Sequence, residues 1–181
     1  MSTEYAIPTQ LPSEYAKEIR HRLGMTQKEF AGILGCSKPT VERWEKKGNM
    51  ITGPAVLLLC MIGQYPGYIE SMKIPEKAFP LRLKYMHRDT LCTIIDVDEL
   101  RQKVYVRNYA ENILFRAFGQ NETPSWEEYQ NFLESRCFPR SRDKMKLVLE
   151  ELDLPFYDPL LIVEKTEGRM AEDDFRVIVE H

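Results

Sequence analysis

Between Met25 and Gly48 the chain reads MTQKEFAGILGCSKPTVERWEKKG, and seven of these side chains can donate hydrogen bonds outward. They are Gln27, Ser37, Lys38, Thr40, Arg43, Lys46 and Lys47. Amide, hydroxyl, ammonium and guanidinium groups suit oxygen-rich partners. The guanidinium of Arg43 can pair bidentately with O6 and N7 of guanine, which makes it the expected base reader. Lys46 and Lys47 are expected on phosphates, where they position a protein on a duplex without specifying its sequence.

Such donors are useful only if a rigid support presents them together. A helix is expected from Ser13 as N-cap, with Tyr15, Ile19 and Leu23 on one face and Gly24 ending it. Thr26 and Glu29 have the spacing of a capping box, which opens a second helix. Phe30, Ile33 and Leu34 face inward there, and Gly35 supplies a left-handed stop. Ser37 is expected to cap a third helix that carries Pro39 in its first turn and closes at Gly48. Two helices held steeply across a short turn need a small residue at their contact, a turn residue tolerating positive φ, and apolar locks. Ala31 is the small contact, Gly35 the turn, and Phe30, Leu34, Cys36, Val41 and Trp44 the locks. The spacing Gln27-x3-Ala31-x3-Gly35-x5-Val41-x2-Trp44 meets all three needs at once. Gly53-Pro54 then begins a fourth helix, whose apolar run Ala55 to Ile62 reads as a buried helix, and residues 64–71 hold a short fifth.

The string LGMTQKEFAGILGCSKPTVERWEKKG resembles the helix-turn-helix of the Xre/Cro/phage-repressor superfamily. The following GPAVLLL is similar to the next helix of many antitoxin-type members. The resemblance covers about residues 13–72. It implies a lambda-repressor-like bundle of four or five helices and a dimer on a palindromic operator. By matching position, Gln27 resembles the family's phosphate-clamping glutamine. Ser37, Lys38 and Thr40 fall where members meet base edges or phosphate, and Glu42 and Arg43 lie one turn further along the groove side. Each has a plainer alternative: Ser37 as a cap, Gln27 as ordinary exposed helix, and Glu42 as the i,i+4 partner of Lys38 or Lys46. Pro39 departs from the commonest pattern and removes one side chain that could touch a base.

Charge distribution agrees with this division of labour. The 181 residues carry a net charge of −3. Residues 17–47, however, hold eight Lys and Arg against four Glu, whereas residues 73–181 hold 17 basic and 21 acidic residues. A basic head joined to an acidic body is expected of a DNA-binding module with a separate partner-binding part. Cys36, Cys60, Cys92 and Cys137 are scattered without a CxxC pair, and His21, His87 and His181 are equally dispersed. No zinc site, disulfide framework or cofactor is therefore expected. The N-terminal MSTEYAIPTQ lacks a basic flank and apolar core, and no apolar run approaches the roughly 18 residues of a membrane span. A cytoplasmic protein with no membrane partner is expected.

KIPEKAFP, residues 73–80, carries two prolines and reads as a linker between a helix-turn-helix domain, 1–72, and an α+β domain, 81–181. Residues 81–85, 90–97 and 103–107 alternate or are β-branched and are expected as strands, with a final strand at 175–180. Helices are expected over about 109–118, over 125–136 capped by Ser125, and over 141–152 capped by Ser141; residues 159–165 read as a further short element. The whole is α+β: an all-α head followed by a domain with a smaller sheet.

An enzyme is not expected. His87-Arg88-Asp89 matches the opening of a kinase catalytic loop, but Ile94 stands where that loop needs asparagine, and no glycine-rich phosphate loop accompanies it. The tripeptide reads as a turn between strands. Arg136, Arg140 and Arg142 flank a proline at a helix junction, where an acidic partner group or phosphate could sit; the alternative is that they bridge to Glu134, Asp143 or Asp174. The order F-L-x-x-R-x-x-P-x-S-R, with Lys165-Thr-Glu-Gly168 and Asp173-Asp174-Phe175 later, is similar to an N-terminal segment of some HipA-like kinases of Firmicutes. It contains none of the catalytic motifs, and it implies a recognition module in a toxin–antitoxin or mobile-element setting. The expected function is a sequence-specific transcriptional repressor acting as a homodimer on double-stranded operator DNA. The alternative is an antitoxin-like or adaptor module that binds a partner protein, such as a toxin, through residues 81–181.

Overall fold

The computed structural model describes residues 4–181 and divides them into two compact units that meet between Ile74 and Pro75. The first contains helices α1 (Ser13–Arg22), α2 (Gln27–Ile33), α3 (Lys38–Trp44), α4 (Pro54–Gln64) and α5 (Pro66–Ser71). Their shared core is Ala16, Ile19, Phe30, Ala31, Val41, Val56, Leu59 and Ile62, joined by Leu11 and Ile51. Those last two belong to a feature that has no local signal in the sequence. Strand β1 (Gln10–Pro12) pairs antiparallel with β2 (Met50–Thr52), and Leu11 sits opposite Ile51. The head is thus a five-helix bundle with a small ribbon rather than purely helical.

Two helices differ from expectation. Pro12 is the N-cap of α1, and Ser13 is already helical, buried at 2%, with its backbone N–H on the Asn49 carbonyl at 3.1 Å. The α4 run is not a buried helix throughout. Val56, Leu59 and Ile62 are buried, but Leu57 and Met61 keep 46% and 53% of their surface exposed. A helix apolar on all sides buries only the stripe its neighbours reach.

The second unit is built on an antiparallel sheet in the order β5-β4-β3-β6, from β3 (Leu81–His87), β4 (Thr90–Asp98), β5 (Lys103–Asn108) and β6 (Phe175–Glu180). Leu83, Ile95 and Val177 lie on one face and pack with Tyr129, Phe132 and Leu133 of α6 (Trp126–Ser135) and Ile162 and Val163 of α8 (Pro159–Thr166). The other face carries Arg82 opposite Asp96. His87-Arg88-Asp89 makes the β3–β4 turn, as the sequence implies, with Arg88 at φ 53°.

Two sequence expectations fail here. Residues 109–118 form no α-helix: the Asn112 side chain accepts from the Leu114 N–H and closes a single 3-10 turn, Ile113–Phe115. Ser141 caps nothing, because α7 (Met145–Glu151) starts after Lys144, whose φ is 58°. Residues 75–80, just past the boundary between the units, are tied to the sheet of the second. Arg82 donates to the carbonyls of Pro75 (2.8 Å) and Glu76 (3.0 Å), and Asp96 accepts from the Ala78 N–H (2.7 Å). That buried pair satisfies itself and the strap across it, as a buried charge requires.

Candidate nucleic-acid interface

The turn between α2 and α3 is held by bonds that its residue types dictate. Thr26 accepts from the Glu29 N–H while the Glu29 carboxylate accepts from the Thr26 N–H at 2.7 Å, which completes the capping box. These bonds, the backbone one first, hold the Glu29 carboxyl below its ordinary range. At the other end Gly35 sits at φ 63°, where its N–H reaches the Gly32 carbonyl and the Cys36 N–H reaches Ala31. This is the paired closure that a left-handed residue after a helix allows. Phe30, Ala31 and Val41 are buried, and Leu34, Cys36 and Trp44 pack partly buried against them. Every member of the expected locking set therefore lies where that role needs it.

The outward set is less uniform. Ser37, Lys38, Arg43, Lys46 and Lys47 are exposed, whereas Thr40 and Gln27 are half-buried. Ser37 occupies the N-cap position of α3 but makes no side-chain cap; its hydroxyl pairs with that of Thr40 at 2.9 Å. The capping role is corrected accordingly, and both hydroxyls keep further bonding capacity at the start of α3. Lys38 pairs with Glu42 at 2.8 Å, the i,i+4 contact expected of Glu42. Helix α3 ends at Trp44 rather than Gly48, so Lys46 and Lys47 lie in the turn beyond it. Arg43, Lys46 and Lys47 have no ion-pair partner among the described residues.

Sequence reading missed the residue that ties this surface together. Glu45, just past α3, accepts from Arg20 Nε (2.6 Å) and Nη2 (3.0 Å) on α1 and from Gln27 Nε2 (2.9 Å) at the start of α2. Burial pushes the Glu45 carboxyl up, but the bonds from Arg20 and Gln27 and the Arg20 charge outweigh it, leaving it below the usual range. The same bond raises Arg20. One amide hydrogen of Gln27 is thus committed to Glu45 and one remains to donate. Arg20 and Glu45 are 25 residues apart, with no local signal linking them. Asn49 was missed too; its side chain donates to the Arg43 carbonyl at 2.6 Å and fixes the end of α3.

The helix-turn-helix family model matches residues 17–63, 47 of the 181 residues. Residues 17–63 carry a DNA-binding helix-turn-helix of the Xre type. No curated protein and no solved structure matches the chain. No helix among the described residues is long and apolar enough to cross a membrane.

Arg136, Arg140 and Arg142 of the second unit are each engaged differently. Arg136 is 7% exposed and fully engaged, donating to both Asp173 oxygens (2.6 and 3.0 Å) and to the carbonyls of Gly168 and Phe175. The bonds from its guanidinium hold the Asp173 carboxyl below the ordinary range. Arg140 pairs with Glu134 at 2.7 Å, and Arg142 lies 5.5 Å over the Phe138 ring. The bridging alternative describes Arg136 and Arg140, with Asp173 in place of Asp174, which pairs with Arg88.

Proposed function

We propose that the protein is a sequence-specific transcriptional repressor that binds operator DNA as a homodimer, with α3 in the major groove. The observation that carries this reading is an exposed, unpaired Arg43 on the second helix of a turn whose locks are buried. In this arrangement Arg43 reads a base pair and Ser37, Lys38 and Thr40 face the groove from the start of α3. Lys46, Lys47 and the remaining amide hydrogen of Gln27 hold phosphates. Dimerisation is supported by Leu57, Leu58, Met61, Tyr65 and Tyr68, exposed apolar side chains clustered on α4 and the start of α5. Contiguous apolar surface of this kind marks contact sites on soluble domains. The second unit, with its own core, serves in this proposal as a partner or effector module without catalysis.

Selection of bound duplexes from a random pool tests the reading. A palindromic consensus is expected, and enrichment of no sequence overturns it. Met61→Lys is expected to convert the protein to a monomer in sedimentation and to weaken binding to the full palindrome more than to a half-site.

A further inference from the structure

Arg43 has no ion-pair partner among the described residues, so its aim is set by its backbone. That backbone lies in the last turn of a seven-residue helix. Short helices are marginal alone, and the carbonyls of a last turn lack intrahelical donors. The Lys46 N–H reaches the Arg43 carbonyl only at 3.4 Å. The close bond comes from the Asn49 amide, which donates to the same carbonyl at 2.6 Å.

Asn49 is itself held on two sides. Its N–H donates to the Lys46 carbonyl at 3.0 Å, and its carbonyl accepts from the Ser13 N–H at 3.1 Å. Met50, the next residue, opens β2, so Asn49 sits where the turn after α3 enters the ribbon. Leu11 and Ile51, paired across that ribbon, are 6% and 0% exposed and root it in the core. The ribbon also stands beside the arginine: Arg43 lines a cleft of about 560 Å³ with Asn49, Met50 and Thr52. Strand β1 and Ser13 both precede residues 17–63, the segment that the family model matches. The two backbone bonds of Asn49 could be made by almost any residue. The bond to Arg43 needs a short side chain that carries an N–H donor.

We propose that Asn49 is a positioning residue for base readout, and that through it the N-terminal strand β1 belongs to the DNA-reading apparatus. The inference rests on the reading of Arg43 as the base reader. The Asn49 amide ties the Arg43 backbone to the ribbon, so the guanidinium meets its base pair in a constant register. Phosphate contacts by Lys46 and Lys47 tolerate small displacements, because an ammonium acts as a point charge without fork geometry. Loss of the tie therefore lowers discrimination between sequences more than affinity for DNA at large.

Fluorescence anisotropy with the full chain at one salt concentration tests the proposal, on the selected operator and on a random duplex of equal length. Asn49→Ala is expected to weaken operator binding about five- to tenfold, the worth of one hydrogen bond, and to leave random DNA within about twofold. Asn49→Ser, polar but with a shorter side chain, is expected to repeat that result. It carries the test if circular dichroism shows Asn49→Ala to be unfolded. In an Arg43→Ala background, Asn49→Ala should change operator affinity by less than about twofold, because the side chain it positions is gone. Unchanged operator affinity, equal loss on operator and random DNA, or the same loss in both backgrounds overturns the proposal and leaves base reading by Arg43 standing. If Arg43→Ala alone weakens both duplexes equally, base reading by Arg43 fails and the proposal falls with it.

Discussion

Arg43 stands exposed on α3 with no ion-pair partner among the described residues, whereas Arg82 is 4% exposed and gives Nε and Nη2 to Asp96 at 2.6 and 2.7 Å. Arg136 resembles Arg82, with every nitrogen engaged. The guanidiniums of Arg82 and Arg136 are consumed by the fold, as is that of Arg20 in the first unit. That of Arg43 is left over, and only a charge left over can be offered to a ligand. What separates these arginines is whether each already has its carboxylate.

That contrast can be broken by substitution. The largest effect is expected from Arg82→Ala, which leaves Asp96 buried and unpaired and releases the strap at Pro75 and Glu76. A loss of about 3–5 kcal/mol in urea denaturation is expected. Glu45→Ala comes next, because it strips Arg20 and Gln27 of their shared acceptor; about 2–3 kcal/mol is expected, with weakened DNA binding. Since the folded Glu45 carboxyl lies below its ordinary value, its contribution is complete above that value and is lost as pH falls through the folded one. Glu45→Gln should flatten that acid limb of the stability profile.

Arg43→Ala should leave stability within about 0.5 kcal/mol. It should cost about 1–3 kcal/mol on the selected operator and far less on random DNA. Equal loss on both would remove base reading from Arg43 and make it one more phosphate contact. Lys46→Ala or Lys47→Ala should weaken all duplexes and reduce the salt slope by about one each. The smallest effect belongs to Glu42→Gln, which breaks an exposed pair worth less than about 0.5 kcal/mol and frees Lys38. A slight gain in non-specific affinity, read by fluorescence anisotropy, is expected from it.

Much of the head was legible because its signals are local. A threonine three residues before a glutamate, and a glycine after a helical run, act through backbone groups within one turn of themselves. Those signals placed the turn between α2 and α3 correctly. Where a local signal competed with another, the reading slipped. Asn112 draws the Leu114 N–H into a 3-10 turn where apolar spacing suggested a helix, and Ser37 turns to Thr40 instead of capping. The apolar run of α4 said that the helix would form, but not how much of it its neighbours would cover.

The order of residues was therefore enough to establish a capped, glycine-closed pair of helices and the side chains Phe30, Ala31 and Val41 that lock it, but Ile33, expected to face inward, is 42% exposed, and Gln27 and Thr40, expected to face out, are half-buried. It could not say which cations would be neutralised. Arg20 meets Glu45 across 25 residues, Arg136 meets Asp173 across 37, and Leu11 meets Ile51 through a ribbon of three residues a side. Backbone capping is short-ranged and written into neighbouring residues. Ion pairing at a distance depends on where the chain returns, and that return is made by the packing of both cores.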